Sequence, residues 1–324
     1  MSFDSFDRLG APPLGFTAVR PSWDELPREL RDFLTTHLGS PVVRADVQSG
    51  GFTPGVAARL TLTSDRVFVK AIPDDHVLAA KYLVEAETSG RLPHGVPSPR
   101  LRWHGTATGW TILIFDDVEG RHPDLAPGSP DVHTVASALS SMVALLTPNP
   151  IPGLPFASAT RTHQLHGWRD LLLSPPRDLD NWEGRHLHAL ADLETRWMRD
   201  ADGATLVHGD IRPDNLIITA SGTTAVVVDW AQPCQGAAWQ DITDLVPHLI
   251  MTGHSPEAAE KVLAEFPAWS LAAPEVITSY AAAFAGYWTR MSRQPAPPGV
   301  PHLRGYQRRA AAAAITWTMY RTGW

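Results

Sequence analysis

The segment His208-Gly209-Asp210-Ile211-Arg212-Pro213-Asp214-Asn215, with Val226-Val227-Val228-Asp229-Trp230 shortly after it, decides how this chain folds. Leu216 to Ile218 and Ala225 to Val228 are short apolar runs rich in β-branched residues. With the turn signal Ser221-Gly222 between them, they predict a hairpin of buried strands. Asn215 begins that hairpin and Asp229 ends it, so a turn over Thr219 to Thr224 returns both side chains to one end of the two strands. Asp210 falls on an irregular loop between a helix and the hairpin, where a carboxylate can face a cleft.

These residue types suit phosphoryl transfer. Its transition state is loose and needs little covalent help, so the protein must align a hydroxyl with the γ-phosphorus and hold a metal ion on the phosphate oxygens. Asp210 is the expected base or positioner of the hydroxyl. Asn215 and Asp229 are the expected ligands of Mg2+, a hard cation that takes oxygen donors.

Working outward, residues 1–20 carry no periodicity and contain Gly10, Pro12, Pro13 and Gly15, which predicts a loosely held arm. Pro21-Ser22 then opens a helix with Leu26, Leu30, Phe33, Leu34 and Leu38 on one face, Ser22 and Glu25 spaced as a capping box, and Gly39 as the stop. Val42 to Val47, Ala57 to Thr63 and Arg66 to Ile72 read as an antiparallel meander. A helix over Val77 to Leu92 follows, and then strands at Arg100 to Gly105 and Thr111 to Phe115. These make a first unit, residues 21–120, of five antiparallel strands and one inserted helix. The Pro-, Asp- and Gly-rich stretch Arg121 to Pro130 begins a second unit, residues 121–324. The second unit is mainly helical, with helices expected at Asp131 to Leu146, Trp168 to Leu173, Leu187 to Met198, Ala237 to Met251, Glu257 to Phe266, Pro274 to Met291 and Arg304 to Tyr320.

Composition narrows the function classes. The 324 residues are 44% hydrophobic and 19% charged, enough for two compact cores in an α+β chain. The apolar run Ala310 to Ile315 is far short of a membrane span, so no membrane partner is expected. One cysteine, Cys234, excludes an internal disulfide and a thiolate metal cluster and fits a reducing cytoplasm. A formal charge of −7 without a Lys/Arg block argues against nucleic acid as partner.

The HGD loop and the VVVDW strand resemble the catalytic loop and metal-binding strand of the aminoglycoside phosphotransferase family, relatives of choline and protein kinases. The resemblance implies a bilobal protein kinase-like fold and an ATP-dependent transfer to an alcohol group, with GTP not distinguished from ATP. It continues at Gly236 and Trp239-Gln240-Asp241-Ile242, where Asp241 would be a buried scaffold residue, and it gives His208 a bracing role. Upstream, Ser49-Gly50-Gly51-Phe52-Thr53-Pro54-Gly55 lies between two strands, where Gly50 and Gly51 let backbone N–H groups approach phosphates; no Gly-Lys-Ser/Thr follows, so it is not a Walker loop. Lys70 lies on the strand where kinases carry the lysine that contacts the α- and β-phosphates. Glu85 and Glu87 both qualify as its partner on the inserted helix; the family's spacing to Leu92 and Val96-Pro97-Ser98-Pro99 selects Glu85. Ile112 to Gly120 resembles the hinge, with adenine meeting backbone groups of Asp116 and Val118 and Phe115 guarding the pocket. Arg212 either contacts the γ-phosphate or pairs with Asp214 at the surface.

The acceptor is expected to be a small molecule such as an antibiotic, a sugar or an amino alcohol. A peptide Ser/Thr hydroxyl is the first alternative and a catalytically idle nucleotide-binding module the second. Residues 131–200 hold eight Asp/Glu against six Arg/Lys, and residues 251–324 four against seven. A polycationic aminoglycoside needs a carboxylate-lined pocket, so this balance predicts a less cationic acceptor.

Overall fold

The computed structural model describes residues 18–48 and 50–324; most of the expected arm, and Ser49 of the glycine-rich stretch, lie outside them. Ser22 N donates to Glu25 Oε2 at 2.7 Å, as the capping-box spacing predicts. Pro27 then splits the expected helix into a 3-10 turn, Trp23–Glu25, and α1, Arg28–His37. Proline lacks the N–H that a helix interior needs and is tolerated only at the start, where it stands here.

β1 (Val42–Val47), β2 (Val56–Leu62), β3 (Arg66–Pro73), β4 (Leu101–Ala107) and β5 (Trp110–Asp116) form one antiparallel sheet in the order β1-β2-β3-β5-β4, with α2 (Ala79–Arg91) inserted between β3 and β4. The period of two along β3 explains its packing. Val67, Val69 and Ala71 face a core that includes Leu30 and Leu34 of α1, each valine or leucine contributing about 1.5–3 kcal/mol on burial. Phe68 and Ile72 face Tyr82 and Ala86 of α2. Lys70, by the same alternation, lies on the α2 side of a central strand, and not on the edge strand where a solvated lysine would be unremarkable.

The chain leaves the sheet through β6, Gly120–Arg121, which pairs with β8, Leu216–Thr219. β8 pairs with β9, Ala225–Val227, giving the expected hairpin. A second small pair was not foreseen: β7, Thr205–Val207, lies antiparallel to β10, Cys234–Gly236. The catalytic-type loop therefore leaves a buried strand rather than a helix. Three residues are too few for a periodic signal, which is why Thr205–Val207 did not stand out.

The remainder is helical: α3 (Pro130–Leu145), α4 (Ala157–Thr160), α5 (Gly167–Leu173), α6 (Asn181–Leu193), α7 (Gln240–Asp244), α8 (Val246–Met251), α9 (Pro256–Leu263), α10 (Pro274–Ser292) and α11 (Leu303–Thr322). Ala237 to Met251, expected as one helix, is two, with Pro247 in the first turn of α8. Of the twelve tryptophans, Trp168, Trp197, Trp230, Trp239 and Trp317 are core, buried to 2% exposure or less. Among the described residues no helix is long and apolar enough to cross a membrane.

Candidate active site

β7 delivers His208, Gly209 and Asp210 to the junction between sheet and helices. Gly209 has φ +77, and a Cβ there would stand 2.6 Å from Gln232 O, so the turn needs glycine. Asp241 clamps the loop from α7: Oδ2 accepts from His208 N at 2.8 Å and Oδ1 from Gly209 N at 3.0 Å. His208 accepts from Asp210 N at Nδ1 (3.2 Å), so Nε2 carries the proton donated to Val228 O at 3.0 Å. The imidazole thus ties the loop to the end of β9 and has no nitrogen left for a substrate.

The hairpin register pairs Leu216 with Val227, and Val228 N donates to Asn215 O at 3.0 Å, which holds Asn215 and Asp229 at the same end of the two strands. Asp229 adopts φ +68, the left-handed region that a non-glycine residue enters only when its surroundings enforce it. Asn215 Nδ2 donates to Asp210 O at 2.8 Å and to Asp210 Oδ2 at 3.2 Å. Lys70 Nζ lies 2.5 Å from Glu85 Oε2 and 2.8 Å from Asp229 Oδ1. Glu87, by contrast, is exposed and pairs with Arg91.

The electrostatics follow from this geometry. Burial alone would lower the Lys70 pKa, but Asp229 and Glu85 outweigh it and push it upward. Burial would raise Asp229, yet the Lys70 ammonium, with Arg212 and His208 behind it, holds the carboxyl at about 2. Burial raises Glu85 to about 7 against the pull of Lys70. Arg212 is not a surface residue: its guanidinium reaches Asp214 at 3.2 Å and Asp210 at 3.5 Å and lies over the Phe52 ring, which packs on Tyr306 of α11.

A cleft of about 340 Å³ runs between sheet and helices, lined by Gly50, Gly51, Lys70, Glu85, Asn215 and Asp229, and at its far end by Phe115, Asp116 and Val118. Asp210 is not part of its wall; it stands beside Asn215 at the mouth. At the hinge, Asp116 N donates to Arg100 O and Arg59 donates to Val118 O, while Val118 N has no partner among the described residues. The Asp116 and Asp117 carboxylates are taken by Arg102 and Arg59 at 2.5 Å each. No cluster of three His, Cys, Asp or Glu residues fit to hold a metal exists among the described residues, so a divalent ion in the cleft would rest on Asn215, Asp229 and oxygens from a ligand or water.

Residues 49–277 match the family model of the phosphotransferase enzyme family, more than half of the chain. The chain belongs to that family. As a member it is a phosphotransferase. The fold of this phosphotransferase is found in a spectinomycin phosphotransferase solved with ADP and spectinomycin (12% identity, 91% of this chain and 98% of that chain covered, TM-score 0.63). The choline kinase LicA from Streptococcus pneumoniae is similar at 16% identity, with 89% and 98% covered and TM-score 0.59. An aminoglycoside-3'-phosphotransferase of type VIII reaches 22% identity, with 79% and 98% covered and TM-score 0.54. No match was found among curated protein sequences.

Sequence reasoning missed one cleft residue of this phosphotransferase. Arg20 falls at the end of the stretch read as a loose arm, yet its NH1 donates to Gly55 O at 2.8 Å and its NH2 to Gly50 O at 2.7 Å, and its side chain lines the cleft. An isolated arginine among Ala18, Val19 and Pro21 carries no periodicity, so no local signal could have found it.

Proposed function

We propose that this chain transfers the γ-phosphate of ATP to a hydroxyl group of a small molecule, and that the single observation carrying this reading is the bridge of Lys70 to Glu85 and Asp229. Lys70 and Asp229 are 159 residues apart, so no local structural need brings them within 2.8 Å in a cleft between the two parts of the molecule. An ammonium held between two carboxylates is fixed in direction, and the same group then serves the α- and β-phosphates.

In this mechanism Gly50 and Gly51 cover the phosphates, while Phe115, the Asp116 backbone carbonyl and the Val118 N–H receive the adenine. Asn215 and Asp229 would hold Mg2+, which when bound neutralises charge on the phosphate oxygens. The Asn215 amide nitrogen, donating to Asp210, orients that carboxylate and leaves the amide oxygen for the ion. Asp210 accepts the acceptor's hydroxyl proton as the hydroxyl oxygen bonds to the γ-phosphorus. The bond from that phosphorus to the β-phosphate's bridging oxygen breaks, and ADP leaves. The buried Cys234 thiol, with its pKa pushed by burial to about 11, is inert and takes no part in the transfer.

The acceptor is less cationic than a kanamycin-type aminoglycoside. Around the Tyr287 hydroxyl stand Asp210, Arg212, Arg290 and Arg304, and because Arg212 is paired with Asp214 and Arg290 with Asp170, carboxylates do not outnumber cations there. ADP release measured over a panel of aminoglycosides, macrolides, nucleosides, sugars and peptides tests both claims. Turnover of a neutral or anionic hydroxyl compound is expected; rapid turnover of kanamycin-type compounds would reject the acceptor reading, and no ADP release with any acceptor would reject the transfer.

A further inference from the structure

The cleft holds four basic side chains whose charges can be followed one by one. Lys70 is shared by Glu85 and Asp229, Arg59 is paired with Asp117, and Arg121 with Asp131. Arg20 lines the same cleft and has no carboxylate partner among the described residues. Among the described residues its acceptors are two neutral carbonyls, and its Nε is buried without one. Burial lowers its pKa, and the charges of Tyr82 and Asp229 only oppose that shift from a distance.

A guanidinium withdrawn from water without a counter-charge is costly, and it persists where an anion is to arrive. Two features keep it in position. Val19 N donates to Gly299 O at 2.8 Å, anchoring the backbone just before it, and Ala18 is buried. Gly50 O and Gly55 O, at the two ends of the glycine-rich loop, fix the plane of its fork.

We infer that Arg20 is a phosphate-binding residue of the nucleotide site, supplying the uncompensated positive charge that recognises the polyphosphate and holding the glycine-rich loop in place while doing so. Arg20 lies outside the residues 49–277 that match the family model, so membership does not assign it. The inference rests on the nucleotide-site reading above.

Calorimetric titration of the full chain with magnesium AMP-PNP and, separately, AMP tests it. Losing charged hydrogen bonds to phosphate should weaken AMP-PNP binding by about ten- to a hundredfold in Arg20→Ala. AMP, which lacks the β- and γ-phosphates, should change by less than about twofold, below half a kcal/mol. Arg20→Lys should keep much of the AMP-PNP affinity and Arg20→Gln, which keeps donors but not charge, should lose it. Equal losses for AMP and AMP-PNP, or Arg20→Gln binding like the wild type, would overturn the inference in favour of a purely structural link. Wild type that binds neither ligand would overturn the nucleotide-site reading itself, whereas tight wild-type binding left unchanged in Arg20→Ala would overturn the inference alone.

Discussion

Asp210, Asn215 and Lys70 each touch a neighbour that restricts what they can do, and that restriction is what makes their roles testable one residue at a time. Asp210→Asn keeps the size of the side chain and removes the proton acceptor. It is expected to lower kcat by about a hundred- to ten-thousandfold while AMP-PNP affinity stays at the wild-type value, and wild-type turnover would refute the base assignment. Asp229→Ala is expected to lose the magnesium dependence of nucleotide binding, read as affinity with and without the ion. His248 offers a different test, one of stability. It is buried against Arg212 and Asp210, and burial, with Arg212 adding, depresses its pKa to about 4 from the ordinary 6.5. The unfolded chain therefore binds a proton that the folded chain refuses. Stability is full above about pH 6.5 and falls as the pH drops towards 4, by up to about 3 kcal/mol from this group. Urea unfolding at pH 5 and 7.5 should show the loss, and His248→Phe should flatten it; a variant with the wild-type pH profile would show that other groups are responsible. That His208, Asp210, Asn215 and Asp229 come together was largely legible in the sequence, because they sit close together around one hairpin. Arg20 and His248 were not, since each acts from a distant segment that only packing brings near.

Elements, rather than single residues, explain why the loop at 208–215 keeps its shape. Asp241 on α7 holds it from behind, and the Phe52 ring of the glycine-rich loop lies between the Arg212 guanidinium and Tyr306 of α11. α7 is in turn backed by α10, where Tyr280 donates to Asp244 at 2.6 Å. α10 crosses α5 so closely that a Cβ on Gly286 would stand 2.6 Å from Trp168 Cδ1 and 2.8 Å from both Trp168 N and Glu194 Oε2. Gly286→Ala is therefore expected to cost about 1–3 kcal/mol of stability from overpacking, read from urea unfolding; an unchanged midpoint would mean the helices can separate freely. Helices and strands with clear periodicity, such as β3 and α10, are legible from the sequence to within a residue or so. Where the sequence misleads, proline and shortness are the causes: Pro27 and Pro247 each divide an expected helix, and β7 is three residues long. The crossing at Gly286 has no sequence signal of its own, because a glycine inside a helical pattern reads only as a weak former.

On the scale of the whole molecule, a sheet sandwiched between α1 and α2 meets a helical body, and the side chains of the candidate site come from both sides of the cleft between them. Lys70, Glu85 and Arg20 belong to the sheet side; Asp210, Asn215 and Asp229 belong to the helical side. A ligand that binds both sides should therefore stabilise the molecule as a unit, by about 2.7 kcal/mol at a concentration a hundred times its Kd. Thermal unfolding with magnesium AMP-PNP reads this as one transition moved upward. The overall charge of −7 is carried mostly outside the residues beside the base, which is why net charge alone says little about the acceptor. The most direct test of the central claim is a crystal structure of the chain with AMP-PNP and Mg2+. The account predicts a triphosphate lying along Lys70 and the glycine-rich loop, with the ion on Asn215 and Asp229 and the γ-phosphorus facing Asp210. A nucleotide bound elsewhere, or an ion that touches neither Asn215 nor Asp229, would contradict it.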